Sequence, residues 1–255
     1  MRVLFGPGGT EGLGYPEGFR RCQELGLTAL EVEFTHSVHM TNQSAADAGA
    51  LARQHGISLS IHAPYFINLA SAEKEKVAAS KKRILDSCER GHHLGATCVV
   101  FHAAYYGKMD RGEVYSAVKR EVLDMQRTIQ KNKWNIALAP ETTGKGAQFG
   151  DIDELLRLSQ ETGCGICVDF AHLLARTGKR DYDAIFAKLR PVRHIHAHFS
   201  GIEYTDKGER RHLVTPLSEI KELLSFIRKY QKDATIICES PEPMSDSVKM
   251  LRAWK

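Results

Sequence analysis

The sequence predicts an α/β fold, a (β/α)8 or TIM barrel forming a single domain over residues 1–255. Three observations carry this expectation. Eight short apolar runs alternate with eight amphipathic segments along the whole chain, which is the unit count of such a barrel. Six of those runs end in a His, Asp or Glu, and strands that run parallel set their C-terminal ends side by side on one rim. No linker, low-complexity tract or shift in composition interrupts the alternation. A doubly wound open sheet also alternates strands with helices, but it does not account for ligand-type residues at so many successive strand ends.

The apolar runs begin near Val3, Leu30, Ile57, Thr97, Ile136, Ile166, Val192 and Thr235. Between them the spacing predicts helices over 17–25, 44–55, 72–94, 113–132, 152–162, 182–189, 216–230 and 245–254. Val114, Val118, Val122, Met125 and Ile129 recur at the three-or-four spacing of a buried helical face. Asp151 precedes the Ile152 helix as an N-cap, and Thr215 precedes a Pro at a first helical position. Gly26, Gly56, Gly95 and Gly163 close helices, as left-handed C-terminal caps do.

Composition excludes several classes. With 42% hydrophobic and 26% charged residues and a net charge of +4, the chain reads as an ordinary globular protein, mildly basic and compatible with a polyanionic partner. Its six Cys are scattered, and Cys98, Cys167 and Cys238 sit inside apolar strands. They read as small buried hydrophobes in a reducing compartment. Cys164 and Cys167 have redox-motif spacing but lead into a strand, so the structural reading is preferred. No apolar stretch is long enough to span a membrane, and the N-terminus opens directly into a strand. A cytoplasmic location is expected.

The six strand-end residues are His62, His102, Glu141, Asp169, His196 and Glu239. A lone His in a strand is more often a hydrogen-bonded core residue than a ligand. Carboxylates closing apolar runs are harder to explain without a partner, because a buried uncompensated charge is costly. Mixed imidazole and carboxylate donors favour zinc, manganese or iron over magnesium. Glu141 has the chemistry to bridge two ions, and His172, three residues after Asp169, joins the set if a helical turn begins there.

These residues resemble the endonuclease IV family of apurinic/apyrimidinic endonucleases, within the wider group of barrel-shaped sugar isomerases and epimerases. His62-Ala-Pro-Tyr-Phe-Ile-Asn-Leu-Ala is similar to that family's third-strand segment, and Phe101-His102 to its fourth-strand His. The segment from Pro140 and Glu141 to Gly150 resembles its Glu-Asn-Thr-Ala-Gly-rich segment, and Asp169-Phe-Ala-His172 its Asp-Thr-Cys-His run. His196 and Glu239 fall at the seventh- and eighth-strand ligands. The resemblance covers nearly the whole chain.

What it implies is a zinc-dependent phosphodiesterase, with two or three zinc ions (or manganese), that cuts double-stranded DNA 5′ to an abasic site in base excision repair. His62, His102 and Glu141 would hold one ion, and Glu141, Asp169, His196 and Glu239 a second. His172 would hold a third with the loop after strand seven. Glu141 and Glu239 would be catalytic by orienting the nucleophile. The family also suggests a monomer. The chain departs from the pattern where the family carries His-x-Asn-Asp and this sequence reads His196-Ala-His198-Phe199. The family's Asp-x-His pair for the third ion has Glu209 and His212 as its nearest counterparts, separated by two residues instead of one. Ungapped, Glu209 would pair with Arg211, which cannot bind zinc.

For DNA contact, Tyr65 and Phe66 fit either a wedge into an abasic gap or a pair of core aromatics capping the barrel. Arg210 and Arg211, with Lys207, fit phosphate contacts or a solvated charge run. Glu33 fits a supporting group of the pocket or a core ion pair. His194 is expected in a lower barrel layer. Two rival functions follow from the same residues: a single-metal sugar isomerase or epimerase, for which His62, His102 and His172 would be surplus, and an inactive DNA- or metal-binding homologue.

Overall fold

The computed structural model describes residues 1–255. In chain order, β1 (Val3–Pro7), α1 (Tyr15–Glu24), β2 (Ala29–Glu33), α2 (Asn42–Gln54), β3 (Ser58–His62), α3 (Lys74–Leu94), β4 (Cys98–Phe101) and α4 (Arg111–Lys131) make the first four strand–helix units. There follow β5 (Ala137–Pro140), α5 (Ile152–Thr162), β6 (Cys167–Asp169), α6 (Phe170–Thr177) and α7 (Tyr182–Lys188). The chain ends with β7 (His194–Phe199), a hairpin of β8 (Gly201–Thr205) and β9 (Gly208–Leu213), α8 (Leu217–Lys229), β10 (Asp233–Cys238) and α9 (Pro243–Trp254).

The barrel strands form two parallel arcs, β2-β3-β4-β5 and β1-β10-β7-β6. Two seams close them into a ring. At one, Gly8 bridges Glu31, with Gly9 N donating to Glu31 O at 2.8 Å. At the other, Glu141 bridges Cys167, with Thr142 N donating to Cys167 O at 3.0 Å. The register pairs Glu33 with His62 and Asp169 with His198, so the strand ends share one rim. The expected (β/α)8 barrel is the fold.

Local chemistry explains most helix boundaries. Asp151 caps α5 in a reciprocal capping box with Glu154, and Asp110 with Glu113 does the same for α4. Gly95 and Gly163 are left-handed C-caps, while Gly26 and Gly56 take positive φ just beyond their caps. Pro216 stands at the N-cap of α8, one place earlier than a first helical position. The face of α4 bearing Val114, Val118, Val122, Met125 and Ile129 is buried, each such side chain contributing about 1.5–3 kcal/mol. No helix is long and apolar enough to cross a membrane.

Besides α6, a helix beyond the eight expected, two elements differ from the sequence expectation. The segment after β7, expected as a loop with a solvated charge run, is the β8–β9 hairpin. The seventh strand runs to Phe199 and does not stop at His196. Both differences bear directly on the site.

Candidate metal centre

Glu141 follows β5 directly and is 1% exposed at the centre of the C-terminal rim. Four imidazoles reach its carboxylate. His62 Nε2 lies 3.2 Å and His102 Nε2 2.9 Å from Oε2, while His198 Nδ1 lies 3.1 Å and His172 Nδ1 3.3 Å from Oε1. His62 ends β3, His102 follows β4, and His172 lies in the first turn of α6. That turn begins at Asp169, whose carboxylate caps α6 by accepting from His172 N at 2.7 Å. Thr142 braces the same corner: its hydroxyl accepts from Asp169 N at 2.8 Å, and its carbonyl lies 3.0 Å from His172 Nδ1.

The structure moves one expected residue. His198, not His196, joins Glu141, Asp169 and Glu239; their ligand atoms lie within 4.8 Å of one another. His194, His196 and His198 share the inward face of β7 by alternation, and because β7 extends to Phe199 the residue at the rim is His198. His196 sits one layer lower, its Nε2 2.9 Å from Glu31 Oε2. His194, at the opposite end, meets the Thr235 hydroxyl at 3.0 Å.

A third set of donors comes from the hairpin. Glu209 Oε2 lies 3.3 Å from His172 Nε2, and His212 gathers with Asp169 and His172 within 4.8 Å. In the β8–β9 register Glu209 pairs with Tyr204 and Arg211 with Glu203, so Arg210 is an extra residue in β9. This bulge carries Glu209 and His212 on the same face despite their two-residue separation. Arg210 and Arg211 turn outward instead and both bind Glu203, at 2.8 and 2.6 Å. Gly144 makes room for the hairpin, since a Cβ there would stand 2.7 Å from Glu209 Cβ.

Electrostatics mark the cluster as a place where charge must be matched. Burial works against ionised Glu141, yet the charges of His102 and His198 hold its carboxyl well below the usual range. Burial likewise opposes charge on His62, but its contact with Glu141 prevails and lifts it to about 10. Glu33 goes the other way: burial, with Glu31 and Glu239 nearby, pushes it up to about 8. Several of these atoms are close to a partner in distance but lack hydrogen-bond alignment, among them His102 Nε2, His172 Nε2 and Asp169 Oδ2. Buried donors and acceptors left unpaired this close together, beside the hydrogen bonds that His62 and His198 make with Glu141, fit a centre built to surround cations. The mixed nitrogen and oxygen donors suit zinc or manganese.

The cluster floors a cavity of about 410 Å³ whose wall includes Gly8, Glu33, Tyr65 and Ser240. Tyr65, in the cavity lining, and the adjacent Phe66 are 55% and 63% exposed, so they are not core aromatics capping the barrel. A larger cavity of about 1080 Å³ opens at the opposite end, between Arg2, His194 and Asp233, away from the rim. Two residues of the site were not chosen from sequence, His198 and Glu31, while Glu33, read as a supporting group of the pocket or a core ion pair, lines the cavity wall. Glu31 and Glu33 did leave a signal, two acids at alternate places in the apolar run Ala29–Glu33.

The model of the xylose isomerase-like TIM barrel family matches residues 19–254. The chain belongs to this family. It is 35% identical to an uncharacterized protein of Methanocaldococcus jannaschii, over 91% of this chain and 89% of that one. It is 26% identical to a probable endonuclease 4 of Mycobacterium ulcerans, over 75% and 77% of the two chains. Endonuclease IV from Thermus thermophilus superposes with a TM-score of 0.71 at 20% identity, covering 100% of this chain and 98% of that one. A D-tagatose 3-epimerase-like protein superposes with a TM-score of 0.75 at 17% identity, covering 100% and 97%. The structural likenesses establish the barrel and favour neither chemistry.

Proposed function

We propose that this chain is a metal-dependent phosphodiesterase that hydrolyses the DNA backbone 5′ to an abasic site. The observation that carries the reading is the third donor set, His172 with Glu209 and His212, beside the two sets that share Glu141. The single-metal isomerase or epimerase reading calls for one divalent ion, and Glu141, Asp169, His198 and Glu239 alone would hold it. A further set on a separate hairpin has a use only where several cations meet one substrate. The likeness to a probable endonuclease 4 supports the same side.

On this reading His62, His102 and Glu141 hold one zinc or manganese ion, and Glu141, Asp169, His198 and Glu239 a second. Asp169, His172 and His212, with Glu209, hold a third. Bound there, such ions supply a hydroxide nucleophile near neutral pH and stabilise charge on phosphoryl oxygens. The chain's own residues do the rest. Glu141 fixes the spacing of the sets through its two oxygens, and Glu239, at the cavity wall beside His198, orients the attacking water. Tyr65 and Phe66 enter the duplex where the missing base has already removed stacking. Arg210 and Arg211 lie on the outer face of the hairpin, placed to meet the phosphate backbone beyond the lesion.

The test is incision of a duplex carrying one synthetic abasic site by metal-replete protein, alongside a count of bound ions by elemental analysis. Two or three ions per chain and a single cut at the lesion are expected. An intact duplex, with one ion and epimerisation of a ketose, would overturn the phosphodiesterase in favour of the isomerase.

A further inference from the structure

Glu31 is a carboxylate sealed inside the barrel, 0% exposed, on a strand whose neighbours Leu30 and Val32 are fully buried. An isolated carboxylate there is costly, and a well-packed apolar residue of similar volume would serve stability as well or better. Its surroundings show what it is matched to. Oε2 lies 2.9 Å from His196 Nε2 in hydrogen-bond alignment, and Oε1 lies 2.8 Å from His198 Nε2, close but out of alignment. The other nitrogen of His198, Nδ1, lies 3.1 Å from both Glu141 Oε1 and Glu239 Oε1. One imidazole thus spans from a buried carboxylate to the rim cluster, and His196 braces that carboxylate from below. Contacts of this kind are often misaligned before a site is loaded and tighten afterwards.

We propose that Glu31 is the positioning residue of the metal centre, holding the His198 ring with Nε2–H towards itself and Nδ1 turned to the ion. A carboxylate behind a ligating imidazole fixes which nitrogen carries the proton and makes the other a stronger donor. His196 keeps Glu31 in place and does not itself reach the rim. The inference rests on the reading that His198 holds a metal, but not on the DNA substrate, so an inactive nuclease leaves it standing.

The probe is cobalt(II) titrated into metal-free protein and followed by its visible absorption. In Glu31→Gln, which keeps the side chain's shape, affinity for the ion at His198 is expected to fall 10–100-fold. The ion at His62 and His102 should bind as in the wild type. A thermal melt of the metal-free variant separates lost coordination from lost folding. Histidine-ring nitrogen NMR of the metal-loaded wild type gives a reading without any substitution: the His198 proton belongs on Nε2. Wild-type cobalt affinity at both sites in Glu31→Gln, or a His198 proton on Nδ1, overturns the proposal. A wild-type protein that takes up no cobalt overturns the metal centre, and the role of Glu31 with it.

Discussion

Glu209 Oε2 and His172 Nε2 stand 3.3 Å apart, although one lies on a hairpin beyond β7 and the other in the first turn of α6. Two details of backbone accompany the meeting: a bulge that absorbs Arg210 and a glycine at position 144. Neither adds a donor. The glycine leaves room for the contact, and the bulge keeps Glu209 and His212 on one face with Arg210 present.

If the bulge only absorbs an extra residue, removing that residue should be harmless. Deleting Arg210 leaves Glu209 and His212 two positions apart, on one face by ordinary strand alternation. The deletion variant should keep the wild-type number of bound ions by elemental analysis. Gly144→Ala should do the opposite, pushing Glu209 away from His172 and losing one ion. An ion lost on deletion of Arg210 would show that the bulge itself sets the geometry.

Tyr65 and Phe66 are mostly solvent-exposed, so replacing them should hardly touch the fold. The double variant to Ala should melt within about 0.5 kcal/mol of the wild type, as surface substitutions do. Its affinity for an abasic duplex should fall by about 1–3 kcal/mol for each aromatic that stacks on a base. Fluorescence anisotropy with a labelled duplex reads this. Unchanged affinity would leave the two rings without a part in substrate binding.

What the sequence disclosed and what it withheld follow from physical cause. Barrel strands are buried on both faces, so their apolar runs stand out, and carboxylates such as Glu141 and Asp169 break those runs visibly. Alternation shows that His194, His196 and His198 share a face, but it says nothing of depth. With His at every second place, choosing the rim residue required knowing that β7 runs on to Phe199. The hairpin was hidden for a different reason. A two-stranded ribbon on the surface buries little, so its residues carry charge instead of an apolar pattern.

Asp246, 0% exposed near the start of α9, ties the segment after the hairpin to the body of the barrel. Its Oδ2 accepts from Thr215 N at 2.7 Å and its Oδ1 from Lys249 Nζ at 2.6 Å. Burial alone would raise its carboxyl, but the hydrogen bonds from Lys249 and Thr215 hold it below the usual range. With its pKa lower in the folded state than in the unfolded chain, Asp246 stabilises fully above an unfolded value of about 3.9. That contribution fades as pH falls through the folded value. Asp246→Asn should therefore cost about 1.5–3 kcal/mol in urea melts at pH 7, the range for a hydrogen bond to a charged group. The gap should narrow below about pH 4. A gap that stays constant into acid would mean that charge on Asp246 contributes nothing.

Glu141 touches His62, His102, His172 and His198, so it should be the residue through which metal and stability are coupled. An ion that binds only the folded chain stabilises it by about 2.7 kcal/mol at a hundredfold excess over its dissociation constant. For a chain of this size that corresponds to roughly 5–10 °C in melting temperature. Chelation should lower the wild-type melting temperature by this much, and added zinc should restore it. Glu141→Gln should lose most of this shift, keeping only what the set at Asp169, His172 and His212 contributes, with an unchanged circular dichroism spectrum. Its incision of an abasic duplex should fall by more than about 100-fold, beyond the loss typical for a residue that only supports a ligand. A chelator-insensitive wild type would remove metal from the stability of this barrel, and a full wild-type zinc response in Glu141→Gln would remove Glu141 from the centre.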